Sequence, residues 1–283
     1  MRGLATSGVV AALALCIGLA ASPAQALALR AFVSGTGSDA AGCGSRTAPC
    51  RSFQFVHHNV VAAGGEIDVL DSAGYGPISI TKSLSIVNDG AGTAGVATPS
   101  GGVGIAINAS VADRVFLKGL TIEGFGTGSN GILLSSGGTL TVVNCVARHF
   151  TANGILVAPA SGVANVAISD TIASENGNSG IFFNPPAGGT AKGAISRTIA
   201  NGNGNVGIFL NAASTATVVD SIATNDAFGF ATEPSAVMRL GRSVASGNST
   251  GVFVGSPVFT YGDNKIDGNI NDFSGVATSL PNR

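Results

Sequence analysis

The chain has 283 residues, with 14 basic and 15 acidic side chains, a formal net charge of −1, 42 glycines and no tryptophan. Sparse charge without a basic stripe or acidic tail excludes the usual nucleic-acid binder. Abundant Gly, Asn, Ser and Thr suit turn-rich β structure and not a helix bundle, which needs Leu, Lys and Glu.

In chain order, Arg2, the apolar run 9–21 and Ala24-Gln25-Ala26 predict a secretory signal peptide over residues 1–26. The run is too short for a membrane anchor. Cys16 lies within it, preceded by Leu15 and followed by more apolar residues, and is read as removed with the signal. No later run reaches spanning length, so the expectation is a secreted or periplasmic protein with no membrane span after cleavage.

Residues 27–65 are expected to form an amino-terminal module. Residues 30–34 read as a strand. Cys43 and Cys50 stand in a Gly/Ser/Pro loop of an exported chain, which favours a disulfide over a metal pair. A zinc site would need two further ligands, and only His57 and His58 are near. Ser52 can cap a helix over residues 53–63, with Phe53, Val56 and Val60 on one stripe and Gly64-Gly65 as its stop. Such a helix would cover the open end of whatever follows. Adjacent helix positions point about 100° apart, so His57 and His58 are read as a solvated face and not as one ion site. Cys145, in a Val-rich strand, is read as a buried inert thiol.

Residues 66–272 repeat. A Gly followed by an apolar residue recurs at Gly104-Ile105, Gly131-Ile132, Gly154-Ile155, Gly180-Ile181, Gly207-Ile208, Gly229-Phe230 and Gly251-Val252, at intervals of 22 to 27 residues. A second phrase, a polar residue two before Ile or Val, keeps the same rhythm from Asn144 through Asp170, Arg197, Asp220 and Arg242 to Asn264. Two markers with one period predict a solenoid of two or three strands per coil. Asn176, Asn203 and Asn225 each precede the next Gly by four residues, with Asn248 one place out, and are expected to stack as an inward Asn ladder. The Gly beside them suits a positive φ. Leucine-rich repeats share the period but require a Leu consensus that is missing here. Residues 273–283 are expected to be a tail or short cap.

These phrases, with Ser34–Gly37, Cys43, Ala48–Cys50, Phe53, Gly64–Ile67, Asp71–Gly76 and Ile80–Ser83 in the cap, resemble the parallel β-helix proteins of the pectin-lyase-like superfamily. The likeness is nearest to its small secreted bacterial members and covers nearly the whole mature chain. It implies an all-β, single-stranded right-handed parallel β-helix with a short N-terminal capping helix. The superfamily holds lyases, hydrolases and epimerases acting on acidic polysaccharides, and also non-catalytic adhesins.

Each chemistry needs particular groups. A lyase needs carboxylates for calcium and an Arg or Lys base, and a hydrolase needs carboxylates across one bond. Asp170, Arg197, Asp220 and Arg242 alternate in sign down one column, and an Arg between two Asp keeps both ionised, so they read as a structural ladder. Glu123, Arg148 and His149 form the only acid/base/imidazole cluster the alignment offers and are the catalytic candidates. Asp263 and Asp267 are explained by a turn. The motifs of polygalacturonases and alginate epimerases are missing, and the tyrosines are only Tyr75 and Tyr261. The first expectation is therefore a non-catalytic scaffold, a monomer without cofactor or metal, presenting a surface to glycans or another cell-envelope partner. The alternative is a polysaccharide lyase-like enzyme, and calcium enters only there.

Overall fold

The computed structural model describes residues 27–136 and 138–281, so the signal segment expected at 1–26 lies outside the described residues. Short parallel strands visit three sheets in turn, coil after coil. Among the described residues the first sheet has eleven strands, from Ala28–Val33 to Thr278–Ser279, and the second and third have nine each. The expected parallel β-helix is therefore present, with three strands per coil.

The Gly-Ile phrase opens the strands of the third sheet. Ile105, Ile132, Ile155, Ile181, Ile208, Phe230 and Val252 stand in register and are all fully buried. Burying each such side chain contributes roughly 1.5–3 kcal/mol, which makes this column a main source of cohesion. The glycines before them do not have the expected positive φ. They are required for close approach instead. A Cβ on Gly104, Gly131, Gly154, Gly180, Gly207 or Gly229 would lie 2.5 to 2.8 Å from the carbonyl oxygen of the corresponding glycine in the next coil.

At the corner between the first and second sheets the left-handed backbone is carried mostly without glycine. Asn144, Asp170, Arg197, Asp220 and Arg242 turn the chain from the first sheet into the second with φ of 46° to 53°. The turn sends the following hydroxyl inward and the β-branched residue after it outward. Thr171, Thr198, Ser221 and Ser243 are buried, whereas Ile172, Ile199 and Ile222 are exposed. The hydroxyls are satisfied twice. Thr198 and Ser221 donate to the carbonyls of Ser196 and Val219, and Ser221 and Ser243 accept from the amides of Thr198 and Ser221.

The Asn ladder exists with a different membership. Asn176, Asn203, Asp226, Asn248 and Asn269 are linked coil to coil, each oxygen taking the backbone amide of the member before it. Asn225, expected in the ladder, is exposed and its Nδ2 donates to Asn201 Oδ1 at 2.9 Å. The reason is coil length. Ser174, Asn201, Thr224 and Ser246 are register partners, and the ladder residue is the second after each. From Asp226 on, one residue fewer separates it from the Gly, so counting back from the Gly picks the wrong side chain.

In the amino-terminal module the helix runs Phe53–Asn59, capped by Ser52, whose side chain accepts from the Phe55 amide. It ends earlier than expected, and Gly64 and Gly65 lie inside the strand Val61–Val69, not in a stop. Lys82 terminates it: its Nζ donates at 2.6 Å to the carbonyls of both His57 and Val61. His57 is not on a solvated face. It is 2% exposed, its Nε2 accepts from the Thr81 amide at 3.2 Å, and burial, helped by Lys82 and His58, pushes its pKa down to about 4. Cys145 is buried, as expected.

Cys43 and Cys50 are bonded, closing a loop of sequence separation 7 beside the first strand. Replacing both with Ser is expected to lower stability by about 2.5 kcal/mol from loop entropy alone, read as a urea midpoint shift. An unchanged midpoint would show that the loop is ordered without the bond. At the far end, Asn271–Ser274 and Thr278–Ser279 pair in parallel with the preceding coil, so strand pairing runs beyond residue 272 into the segment set apart as tail or cap.

Candidate functional site

The alternating column closes into two bidentate pairs. Arg197 reaches Asp170 at 2.7 and 2.8 Å, and Arg242 reaches Asp220 at 2.8 Å through both nitrogens. Each arginine holds its aspartate's pKa below the usual carboxylate range through the hydrogen bonds. All four side chains are well exposed, so solvent screens the pairs and they chiefly fix register. The column ends at Asp263, which accepts the Arg242 amide at 3.0 Å. Asn264, expected there, aligns with Ser243 and extends the hydroxyl ladder by accepting its amide at 2.9 Å.

The trio Glu123, Arg148 and His149 does come together. Arg148 is the register partner of Glu123, and its Nε donates to Glu123 Oε2 at 2.8 Å. His149 Nδ1 bonds Glu123 Oε1 at 2.7 Å, while His149 Nε2 bonds Glu175 Oε2 at 2.5 Å. Hydrogen bonds to Glu123 and then Glu175 raise the imidazole pKa above its ordinary value. Burial opposes ionisation of Glu123, but bonds from His149, the Phe125 amide and Arg148 outweigh it and hold its pKa below the usual range. The result is an imidazolium clasped between two carboxylates. Both ring nitrogens are used, on opposite edges, so Glu123 and Glu175 do not converge on one point. Among the described residues no group of three His, Cys, Asp or Glu side chains is arranged to hold a metal ion.

Sequence reasoning missed Glu175 and Phe125. Glu175 and His149 have φ of 55° and 58° at a corner where later coils place Gly202, Gly247 and Gly268 at 66° to 71°. A non-glycine residue there costs about 1–2 kcal/mol. The detectable signal was the residue before each ladder member, normally Gly or Asn and here Glu. Phe125 is also left-handed, with φ 52°, and 64% exposed. It stands between two open clefts. One, of about 830 Å³, is bounded by Glu123, His149, Glu175 and the glycines of the next coils. The other, of about 500 Å³, shares Glu123 and Phe125 and takes in Arg148. Together they form a groove along the rod with an aromatic ring at its middle. A further cleft of about 600 Å³ at the cap has Arg30 as its charged wall, already paired with Glu66 and Asp68.

A family described as right handed beta helix region matches residues 68–223 and, overlapping, 103–271. No curated protein matches the chain. The crystal structure of pectate lyase Pel9A is similar, with a TM-score of 0.60 and 16% identity over 90% of this chain and 78% of that one. At that identity the likeness speaks for the fold alone. Among the described residues no helix is long and apolar enough to cross a membrane.

Proposed function

Because this chain belongs to the right-handed β-helix family, we propose that it is an exported scaffold that binds a glycan in the groove around Phe125 without cleaving it. The observation that carries the reading is Phe125 itself: a large apolar ring, exposed, held at a left-handed backbone position between two clefts. A sugar ring presents an apolar face that stacks on such a platform. The neighbouring groups support binding more than chemistry. Abstracting the proton α to a carboxylate needs a free base, and the Arg148 Nε and both His149 nitrogens are engaged by carboxylates. Two carboxylates line the larger cleft and its imidazolium is tied to both, so nothing there attracts a uronate. The ligand class this favours is a neutral or amino sugar.

The test is calorimetric titration with neutral, amino and uronate oligosaccharides. Phe125→Ala is expected to weaken binding at least tenfold, about 1.4 kcal/mol, with an unchanged melting temperature. In parallel, uronate polysaccharides with and without calcium are followed by absorbance of unsaturated products. Turnover abolished by Arg148→Ala or Arg197→Ala would overturn the scaffold reading in favour of a lyase.

A further inference from the structure

The outward face of the second sheet carries an aliphatic stripe that the glycan groove does not use. Val146, Ile172, Ile199, Ile222 and Val244 are consecutive register partners, and the three isoleucines are 37–38% exposed. Four strand spacings make the stripe about 19 Å long. Beside it runs the column Asp170, Arg197, Asp220, Arg242, whose arginines remain 59–61% and aspartates 38–40% exposed despite their pairing.

We propose that this face docks on a second copy of the same chain as an antiparallel two-fold dimer, in place of the monomer expected from sequence. The charge order selects the arrangement. A two-fold axis lying in the interface, across the rod between the coils of Ile199 and Ile222, sets every column against its own reverse. Asp170 then faces Arg242 of the partner subunit, and Arg197 faces Asp220 of the partner subunit. All four positions meet the opposite sign. The same operation sets Ile199 against Ile222 of the partner subunit and Ile172 against Val244 of the partner subunit, so apolar meets apolar. A slip by one coil puts like charges face to face, which penalises the wrong register. Parallel rods would instead lay the charged column on the uncharged flank of Asn201, Thr224 and Ser246. A single-sign column could not complement itself under any such axis. The stripe is narrow, so the dimer belongs to the weak class, with a dissociation constant on the order of micromolar or above.

Sedimentation of the full mature chain from about 1 to 500 μM tests this, that range bracketing a weak interface. The expected result is a concentration-dependent dimer. Arg197→Asp with Arg242→Asp makes the column uniformly acidic and is expected to weaken association at least tenfold, about 1.4 kcal/mol. Inverting all four signs (Asp170→Arg, Arg197→Asp, Asp220→Arg, Arg242→Asp) preserves self-complementarity and is expected to restore it to within about threefold. Thermal melts identify any variant that has lost its fold, and the inverted chain serves as a matched control. Mixed Ile199→Cys and Ile222→Cys chains should crosslink through a short bis-maleimide. A monomer throughout the range, or a dimer indifferent to both charge patterns, would overturn the proposal.

Discussion

Replacing Asp226 by Asn is expected to stabilise the fold at pH 8 and to leave it nearly unchanged at pH 4. Asp226 is 5% exposed, and burial pushes its pKa up to about 7, against weaker opposing bonds from the amide and side chain of Asn203. Its Oδ1 takes both Asn203 donors, at 2.6 and 3.0 Å, whereas Oδ2 has no partner. In the other coils that second position is an Nδ2, which donates to an alanine carbonyl of the preceding coil: Asn176 to Ala147, Asn203 to Ala173, Asn248 to Ala223. Oδ2 occupies the same place, since a Cβ on Gly207 would meet it at 2.6 Å just as one on Gly180 would meet Asn203 Nδ2 at 3.0 Å. Only a protonated carboxyl can imitate the amide there. With the folded pKa above the unfolded value, the native chain binds the extra proton between the ordinary 3.8 and about 7. Stability therefore falls as pH rises through that window and levels off above it. Three pH units correspond to roughly 4 kcal/mol as an upper bound. Urea midpoints of the two chains measured in parallel from pH 4 to 8 isolate this group, because every other titration is common to both. A gain from Asn that is the same at every pH would refute a buried, proton-dependent Asp226.

The residues that sequence reasoning read correctly are those whose meaning survives a shift of one position. The Gly-Ile column is such a case: its packing partner is its own copy one coil on, so period alone identifies it. The cysteine pair is another, because loop composition and the expectation of export sufficed. The Asn ladder was half legible. Asn176 and Asn203 follow from the Gly, but the shortened corner after Thr224 moves the inward position to an aspartate, a residue type that a rule seeking amides passes over. The expected helix stop failed because Gly-Gly is ambiguous between a helix end and a strand, and Lys82, distant in sequence, settles the matter through two carbonyls. The site was the least legible part. Glu123, Arg148 and His149 were found because adjacent coils align them. Glu175 differs only in breaking the Gly or Asn preceding each ladder member, and Phe125 becomes conspicuous only once the backbone shows it left-handed and exposed. Ile172, Ile199 and Ile222 carry the same lesson in reverse, since their hydrophobicity gives no hint that a hydroxyl takes the inward place beside them.

Asn203→Ala is expected to be among the most damaging single truncations in the rod, and Asn225→Ala among the mildest, although the two positions look alike in sequence. Asn203 is 3% exposed and ties three coils together. Its Oδ1 accepts the amide and Nδ2 of Asn176 at 3.2 and 3.0 Å, and its Nδ2 donates to Ala173 O and Asp226 Oδ1 at 3.2 and 3.0 Å. Truncation strands two or three buried polar groups at about 1–3 kcal/mol each, for a loss on the order of 4 kcal/mol. Asn225 is exposed, holds a left-handed φ of 58° and gives up one surface bond to Asn201, so its loss is about 1 kcal/mol, and Asn225→Gly should recover it. Urea titrations of the three variants decide the matter, and equal losses at the two asparagines would refute the ladder membership given above. The slope carries a second expectation. In a one-dimensional array, cooperativity depends on coupling between neighbouring coils. Removing Asn203 cuts a link between the halves of the rod, so its transition should broaden as well as shift. The Asn225 variants should keep the parent slope, because their bond lies outside the column that couples the coils.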